Sequence, residues 1–292
     1  MPRQTRPRSK EVTVQGNEQR RREAMKHLER ELGRRERAEK AKPLGVVVAT
    51  LAILLVLVGG IWFLTTMDGD DTDVTAEETE TSTPELEPLA MARAEALPDT
   101  VTCEYPAGGG EAAKEVSTPK TDDVPATGTV TVTLKTNHGD IPMQLDRSLS
   151  PCAVNAIEHL AKEGYYDDTV CHRMTSGGLN VLQCGDPSGS GAGGPGFTFA
   201  DEYPVDEADA ASNGVIYPEG SIAMANSGPD TNGSQFFLNY ADGQLQPSYS
   251  VLGTMTPEGL DVVKGISEKG IEGGQLDGKP AEEVRIESAT VS

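Results

Sequence analysis

A chain of 292 residues is too long for one small domain and reads as one or two globular units with extra segments. Its formal charge of −21 is uneven: residues 1–43 carry 14 Lys/Arg against 7 Asp/Glu, leaving 11 and 39 of the totals of 25 and 46 to the rest. A basic run can signal a nucleic-acid partner, but Glu alternates with Arg throughout "NEQRRREAMKHLERELGRRERAEKAK". That argues against nucleic acid and favours a solvated helical arm near anionic lipid headgroups.

Next along the chain, Leu44 to Leu64 runs for 21 residues without a charge, and a bilayer core takes about 20 apolar helical residues. Trp62 and Phe63 close it, where amphipathic rings prefer the interface. The basic leader is too long for a cleaved signal peptide, so the segment reads as a retained single-pass transmembrane helix. The positive-inside rule then leaves residues 1–43 in the cytoplasm and carries the acidic remainder out of the cell membrane. Residues 65–100 turn to Thr, Glu, Asp and Pro, a composition expected to form a disordered stalk. A Pro/Gly-punctuated segment, 101–127, opens with Cys103 and is expected to be loop-like but tethered.

Regular periodicity begins with the domain at 128–292. "TVTVTLK" (129–135) alternates as a strand, "NHGD" supplies turn chemistry, and "IPMQL" returns. In "SPCAVNAIEHLAKEG", Ser150 reads as an N-cap, Pro151 as the first helical residue and Gly164 as the stop. Ala153, Val154, Ile157, Leu160 and Ala161 make that helix amphipathic. Short β-like runs follow: "VCHRM", "VLQC", "GSIAMA", "QFFLNY" and "SVLGTM". A second helix starts at Pro257, and "EVRIESATV" is a last strand. Many short strands with two helices imply a mainly β fold, a closed antiparallel barrel with helical caps.

The candidate chemistry needs no metal or cofactor. No Cys-x-x-Cys occurs, and the four His are scattered. "GDPSGSGAGGPGF" (185–197) lacks the Lys-Ser/Thr ending of a phosphate loop and leads into no helix, so it reads as a flexible rim. No Gly-x-Ser-x-Gly elbow is present. Asn232 heads a formal glycosylation sequon. All four cysteines, Cys103, Cys152, Cys171 and Cys184, follow the apolar span, which favours disulfides in an oxidising compartment, with three possible connectivities. His172 reads as a hydrogen-bonded interior histidine, and strand alternation then points Arg173 outward to a groove.

Taken together, "CHRM", "VLQCGDP" and "GSIAMANSGPDTNGSQFFLNY" closely resemble the cyclophilin family of peptidyl-prolyl cis–trans isomerases, in order and over about 128–292. The anchored layout with four exported cysteines is similar to bacterial cell-envelope members. The resemblance implies an eight-stranded closed barrel capped by two helices. It also implies acceleration of X–Pro rotation in proline-containing peptides and unfolded exported proteins. It makes Arg173 the catalytic arginine and Gln183 the groove glutamine. Ala225 and Asn226 become the backbone-binding pair, with Gln235, Phe237, Leu245 and Tyr249 lining the site, and Val181 and Met224 are expected to complete the apolar slot. Asn180 and Val181 stand where the family has Phe and Met, with Leu179 or Leu182 available to replace lost surface. Gln244 stands where the family has Trp, which argues against strong cyclosporin binding. These departures keep an alternative open: a peptide-binding envelope module of the same fold with weak or no catalysis. The implied strand order sets Cys171 and Cys184 on consecutive antiparallel strands, so Cys171–Cys184 is expected, and with it Cys103–Cys152.

Overall fold

The computed structural model describes residues 86–207 and 214–292. The basic arm, the apolar span 44–64 and the stalk as far as residue 85 lie outside the described residues, and among the described residues no helix is long and apolar enough to cross a membrane.

A small antiparallel pair, β1 (Thr100–Val101) with β2 (Val124–Pro125), precedes the domain. The hairpin β3 (Thr129–Thr136) and β4 (Gly139–Asp146) then pairs along its whole length. Its alternation does what a period of two requires: Val130, Val132, Leu134, Ile141, Met143 and Leu145 all point inward and are buried. Helix α1 (Pro151–Lys162) follows and seats Val154, Ile157 and Leu160 on the inner face of the sheet. Full burial of each contributes roughly 1.5–3 kcal/mol. Then come β5 (Thr169–Val170), β6 (Arg173–Thr175), β7 (Val181–Cys184), β8 (Val215–Tyr217), β9 (Ser221–Met224), β10 (Phe236–Asn239), β11 (Gly243–Leu245) and β12 (Val251–Met255). Helix α2 (Pro257–Ser267), β13 (Asp277–Gly278) and β14 (Arg285–Val291) complete the chain. Thr256 caps α2, its hydroxyl accepting from the Gly259 N–H at 3.2 Å.

The main sheet is antiparallel throughout and has ten strands in the order β13-β6-β7-β10-β9-β12-β4-β3-β14-β5. Only Cys171 and His172 separate β5, at one end, from β6, next to the other, so the sheet is strongly curled. Eight strands were expected. The difference arises because the "VCHRM" run breaks in two at Cys171–His172 and because the two-residue β13 adds to the edge of β6. Strand β8 pairs with β11 in a separate ladder outside the barrel.

The capping of α1 differs from expectation. Ser150 stands at the N-cap position, but its side chain accepts no cap hydrogen bond. The carboxylate of Glu202, fifty residues on, takes the Cys152 and Ala153 N–H groups at 3.1 and 2.8 Å. Burial pushes the Glu202 carboxyl up to about 7 despite these two bonds. A raised acid binds its proton more tightly folded than unfolded, so this contribution is fully present below about pH 4.5 and is lost as pH rises through 7. Compared with Glu202→Gln, which does not titrate, the wild-type protein is therefore expected to lose about 3 kcal/mol of its relative stability between those limits. Urea unfolding of both proteins from pH 4.5 to 8 measures this, and a constant difference would refute it.

The pre-barrel segment is tied down as its cysteine suggested. Cys103 is bonded to Cys152 and Cys171 to Cys184. Tyr105 meets the edges of Phe197 and Phe199 with ring centroids 5.6 and 5.7 Å away. The range 65–100, read from composition as a stalk, overlaps residues that pack on the domain. From Glu87 the chain lies on the domain as a strap: the Leu89 N–H donates to Ile216 O at 2.8 Å, and the Ile216 N–H to Glu87 O at 3.0 Å. Arg93, its side chain 7% exposed, donates to Leu149 O at 2.8 Å and pairs with Asp206 at 2.7 Å and Glu207 at 3.3 Å. Its guanidinium also lies over the Tyr203 ring.

Candidate active site

Register builds the site. Across neighbouring strands Arg173 faces Gln183, Gln183 faces Phe237, and Phe237 faces Ala223. Residues directly opposite one another share a face, so one row of side chains runs outward across β6, β7, β10 and β9. Alternation along β10 separates the roles: Phe236 and Leu238 enter the barrel core, whereas Phe237 joins an outer apolar cluster with Val181, Tyr203, Tyr217 and Val251.

That cluster floors a slot of about 130 Å³ lined by Arg173, Leu179, Val181, Gln183, Ala225, Asn226, Phe237, Leu245 and Tyr249. Phe237 and Tyr249 meet edge to face with centroids 5.5 Å apart. Tyr217, behind them, donates its hydroxyl to Tyr249 O at 3.0 Å and so holds that wall. Leu179 supplies apolar surface beside Val181. Asn180 turns away, its amide donating to Asp242 O at 3.1 Å, and Leu182 is buried in the barrel core. Gln244 is exposed on β11 and does not line the slot.

Two expectations need correcting. Met224 does not line the slot: it is fully buried in the barrel core, because Ala225 faces the groove and its strand neighbour must face inward. His172 is not a hydrogen-bonded histidine. Among the described residues neither ring nitrogen has a partner, the ring lies against the Gly191 position, and burial keeps it below the usual imidazole range. Arg173 still faces outward, because Met174, its neighbour on β6, enters the core.

The polar side of the slot is a chain of hydrogen bonds. Arg173 donates Nη1–H to Gln183 Oε1 at 3.1 Å. Gln183 donates to Gln235 Oε1 at 3.0 Å, and Gln235 in turn to Gly191 O and Gly193 O at 3.1 and 2.9 Å. Asn226 is held by its bond to Ser248 O at 2.8 Å. Gln235 itself opens into a neighbouring cleft of about 140 Å³, which shares Gln183, Ala225 and Asn226 with the slot.

The glycine-rich rim is better ordered than "flexible" implied. Its amides are spent on a carboxylate of the chain itself: Asp186 accepts from Ser188 N, Gly191 N and Gly193 N at 2.7, 2.7 and 3.1 Å. A Cβ at Gly193 would lie 2.0 Å from Asp186 Oδ1, so only glycine fits. Burial raises the Asp186 carboxyl, but the bonds from Ser188, Gly193 and Gly191 outweigh it and hold the group below the usual carboxylate range. Asp186→Asn turns an amide toward some of these donors and is expected to cost roughly 2–3 kcal/mol. Hydrogen exchange at Gly191 and Gly193 should quicken in that variant; unchanged protection would show that the rim holds itself.

The arrangement suits a chemistry without nucleophile or proton transfer. It offers an apolar slot for a ring, a fixed cation at its mouth, and side-chain amides to grip a backbone. The fold and this site belong with a known family. Residues 131–291 match the model of the cyclophilin-type peptidyl-prolyl cis–trans isomerases, and the chain is a member of the cyclophilin family. It is 47% identical over 192 residues to the probable peptidyl-prolyl cis–trans isomerase B of Mycobacterium tuberculosis, covering 64% of this chain and 62% of that protein. The corresponding Mycobacterium leprae protein is 47% identical over 194 residues, covering 64% and 66%. Peptidyl-prolyl cis–trans isomerase B of Streptomyces anulatus is 37% identical over 176 residues, covering 54% and 94%. The chain thus spans a little under two thirds of the length of the two mycobacterial relatives.

Proposed function

We propose that this protein is a peptidyl-prolyl cis–trans isomerase acting on proline-containing segments of exported, unfolded proteins. The observation that carries the reading is Arg173, fixed at the mouth of the apolar slot whose floor is Phe237. An X–Pro bond turns over tens of seconds because amide resonance opposes rotation. Twisting breaks that resonance and returns a lone pair to the prolyl nitrogen. A guanidinium is always charged and its donors are fixed, so Arg173 can hydrogen-bond that nitrogen in the twisted state alone. A 10⁴-fold acceleration needs about 5.5 kcal/mol off the barrier. One charge-assisted bond supplies roughly 1.5–3 kcal/mol. Proline held by Phe237, Val181, Leu179 and Leu245, with Asn226 gripping the backbone, supplies the remainder.

The cellular setting belongs to the same proposal. Residues 44–64 hold the protein in the cell membrane with its N-terminus in the cytoplasm, and the curled sheet functions outside as a closed barrel. The charge-free span, the basic arm before it and the two disulfides after it support this reading. Gln244, exposed beside Leu245, leaves cyclosporin weakly bound. The test is exchange spectroscopy on a short X–Pro peptide with the oxidised protein. Faster cis–trans exchange supports the isomerase. Binding without acceleration would reduce the site to a peptide-recognition module.

A further inference from the structure

Arg173 has a second partner that the slot does not account for. Asp277 accepts from Arg173 Nε–H and Nη2–H at 2.8 Å each, a two-pronged pair along one edge of the guanidinium. Gln183 takes a third N–H. Three of five donors are thereby fixed in one plane, and the free donors are one on Nη1 and one on Nη2. Asp277 is itself held by backbone. It lies on β13, paired to Thr175 two residues from Arg173, and that strand is framed by Ser176 N–H to Leu276 O at 2.9 Å and Glu272 N–H to Lys279 O at 2.8 Å.

On this basis we infer that Asp277 is a positioning residue for the isomerase site: it locks the Arg173 fork in the plane that aims its free donors into the slot and balances its charge. The inference rests on the isomerase reading above. Two effects of a carboxylate at this place oppose each other. It lowers the positive potential at the free donors, and it removes the rotamer freedom that an arginine otherwise loses on meeting its substrate. The second effect wins because the Asp277 side chain is 57% exposed, so water screens its charge, while the two bonds fix geometry regardless of screening. What screening leaves of that charge lowers the positive potential at the mouth of the slot, which weakens selection for acidic residues beside the proline.

The experiment is a double-mutant cycle on the full oxidised chain in detergent, with kcat and KM from a neutral X–Pro peptide and from one carrying Glu before proline. Asp277→Ala is expected to lower kcat/KM for the neutral peptide about ten-fold, mostly in kcat, because donors must be aimed only as the bond twists. Asp277→Asn, which keeps one acceptor, falls between. Either variant should shift preference toward the Glu peptide. In an Arg173→Ala background, Asp277→Ala should change nothing beyond about two-fold, since its effect passes through the guanidinium. The Arg173 Nε–H, bonded to Asp277 Oδ1 at 2.8 Å, should exchange slowly in the ¹⁵N spectrum of the wild type and faster in Asp277→Ala. An equal loss with and without Arg173 would make Asp277 merely structural and overturn the inference, as would an unchanged Nε–H signal with unchanged kcat. If the wild-type protein binds peptide without turnover, the isomerase reading fails separately, and the Arg173 Nε–H exchange in Asp277→Ala still decides whether Asp277 locks the guanidinium.

Discussion

Arg173→Ala is expected to lower kcat/KM for X–Pro isomerisation by about 10²–10³-fold, most of it in kcat, while peptide affinity falls only several-fold. Removing a donor aimed at the transition state costs roughly 2.7–4 kcal/mol, more than the net worth of the bond itself, because the twisted amide is left without its partner. Binding survives because the floor of the slot is built from other strands: Phe237 on β10, Val181 on β7 and Leu245 on β11. Arg173→Lys should recover little, since an ammonium cannot bridge Asp277 and Gln183 with fixed donors at once. The barrel should be unharmed, because Arg173 faces outward and contributes nothing to the core cluster. Exchange spectroscopy alongside urea unfolding separates the two effects. A variant that unfolds at the wild-type midpoint and isomerises at the wild-type rate would remove Arg173 from the mechanism.

The second large effect is expected at Arg93, outside the motifs that define the family match. Its nearly buried guanidinium joins Leu149 O, Asp206, Glu207 and the Tyr203 ring. Arg93→Ala leaves a buried carbonyl unpaired and a carboxylate pair without its cation. Full loss of a buried partner costs roughly 3–5 kcal/mol, but Asp206 and Glu207 are 40% and 28% exposed and turn to water, so about 2–3 kcal/mol is expected. The consequence reaches the slot. The strap pairs with β8, β8 pairs with β11, and β11 carries Leu245, while Leu89 and Met91 pack against the cluster that contains Phe237. KM should therefore rise with the loss of stability, and removing residues 86–99 should do the same. A denaturation midpoint unchanged by either alteration would show that the strap rests on the domain without supporting it.

How far the amino-acid sequence alone determined this protein can be judged residue by residue. Local rules were sufficient wherever a signal repeats along the chain. The period of two wrote β3 and β4, the 3.6 period wrote α1, and Pro257 marked the start of α2. The row Arg173, Gln183 and Phe237 was legible because each stands inside a contiguous motif, and alternation along each strand decides which face it takes. The same rule read with care would have sent Met224 inward once Ala225 was placed in the groove.

Only the tertiary structure decided the partners that come from far away. Asp277 lies 104 residues from Arg173. Glu202 caps a helix whose own Ser150 does not. The amides of a glycine-rich loop close on Asp186 rather than on a ligand, and Arg93 joins the loop before α1 to the loop between β7 and β8. These contacts have no period and no fixed spacing. A carboxylate or a guanidinium satisfies its bonds with whatever donor or acceptor the curled sheet brings within 3 Å, and that proximity exists only after the chain has folded.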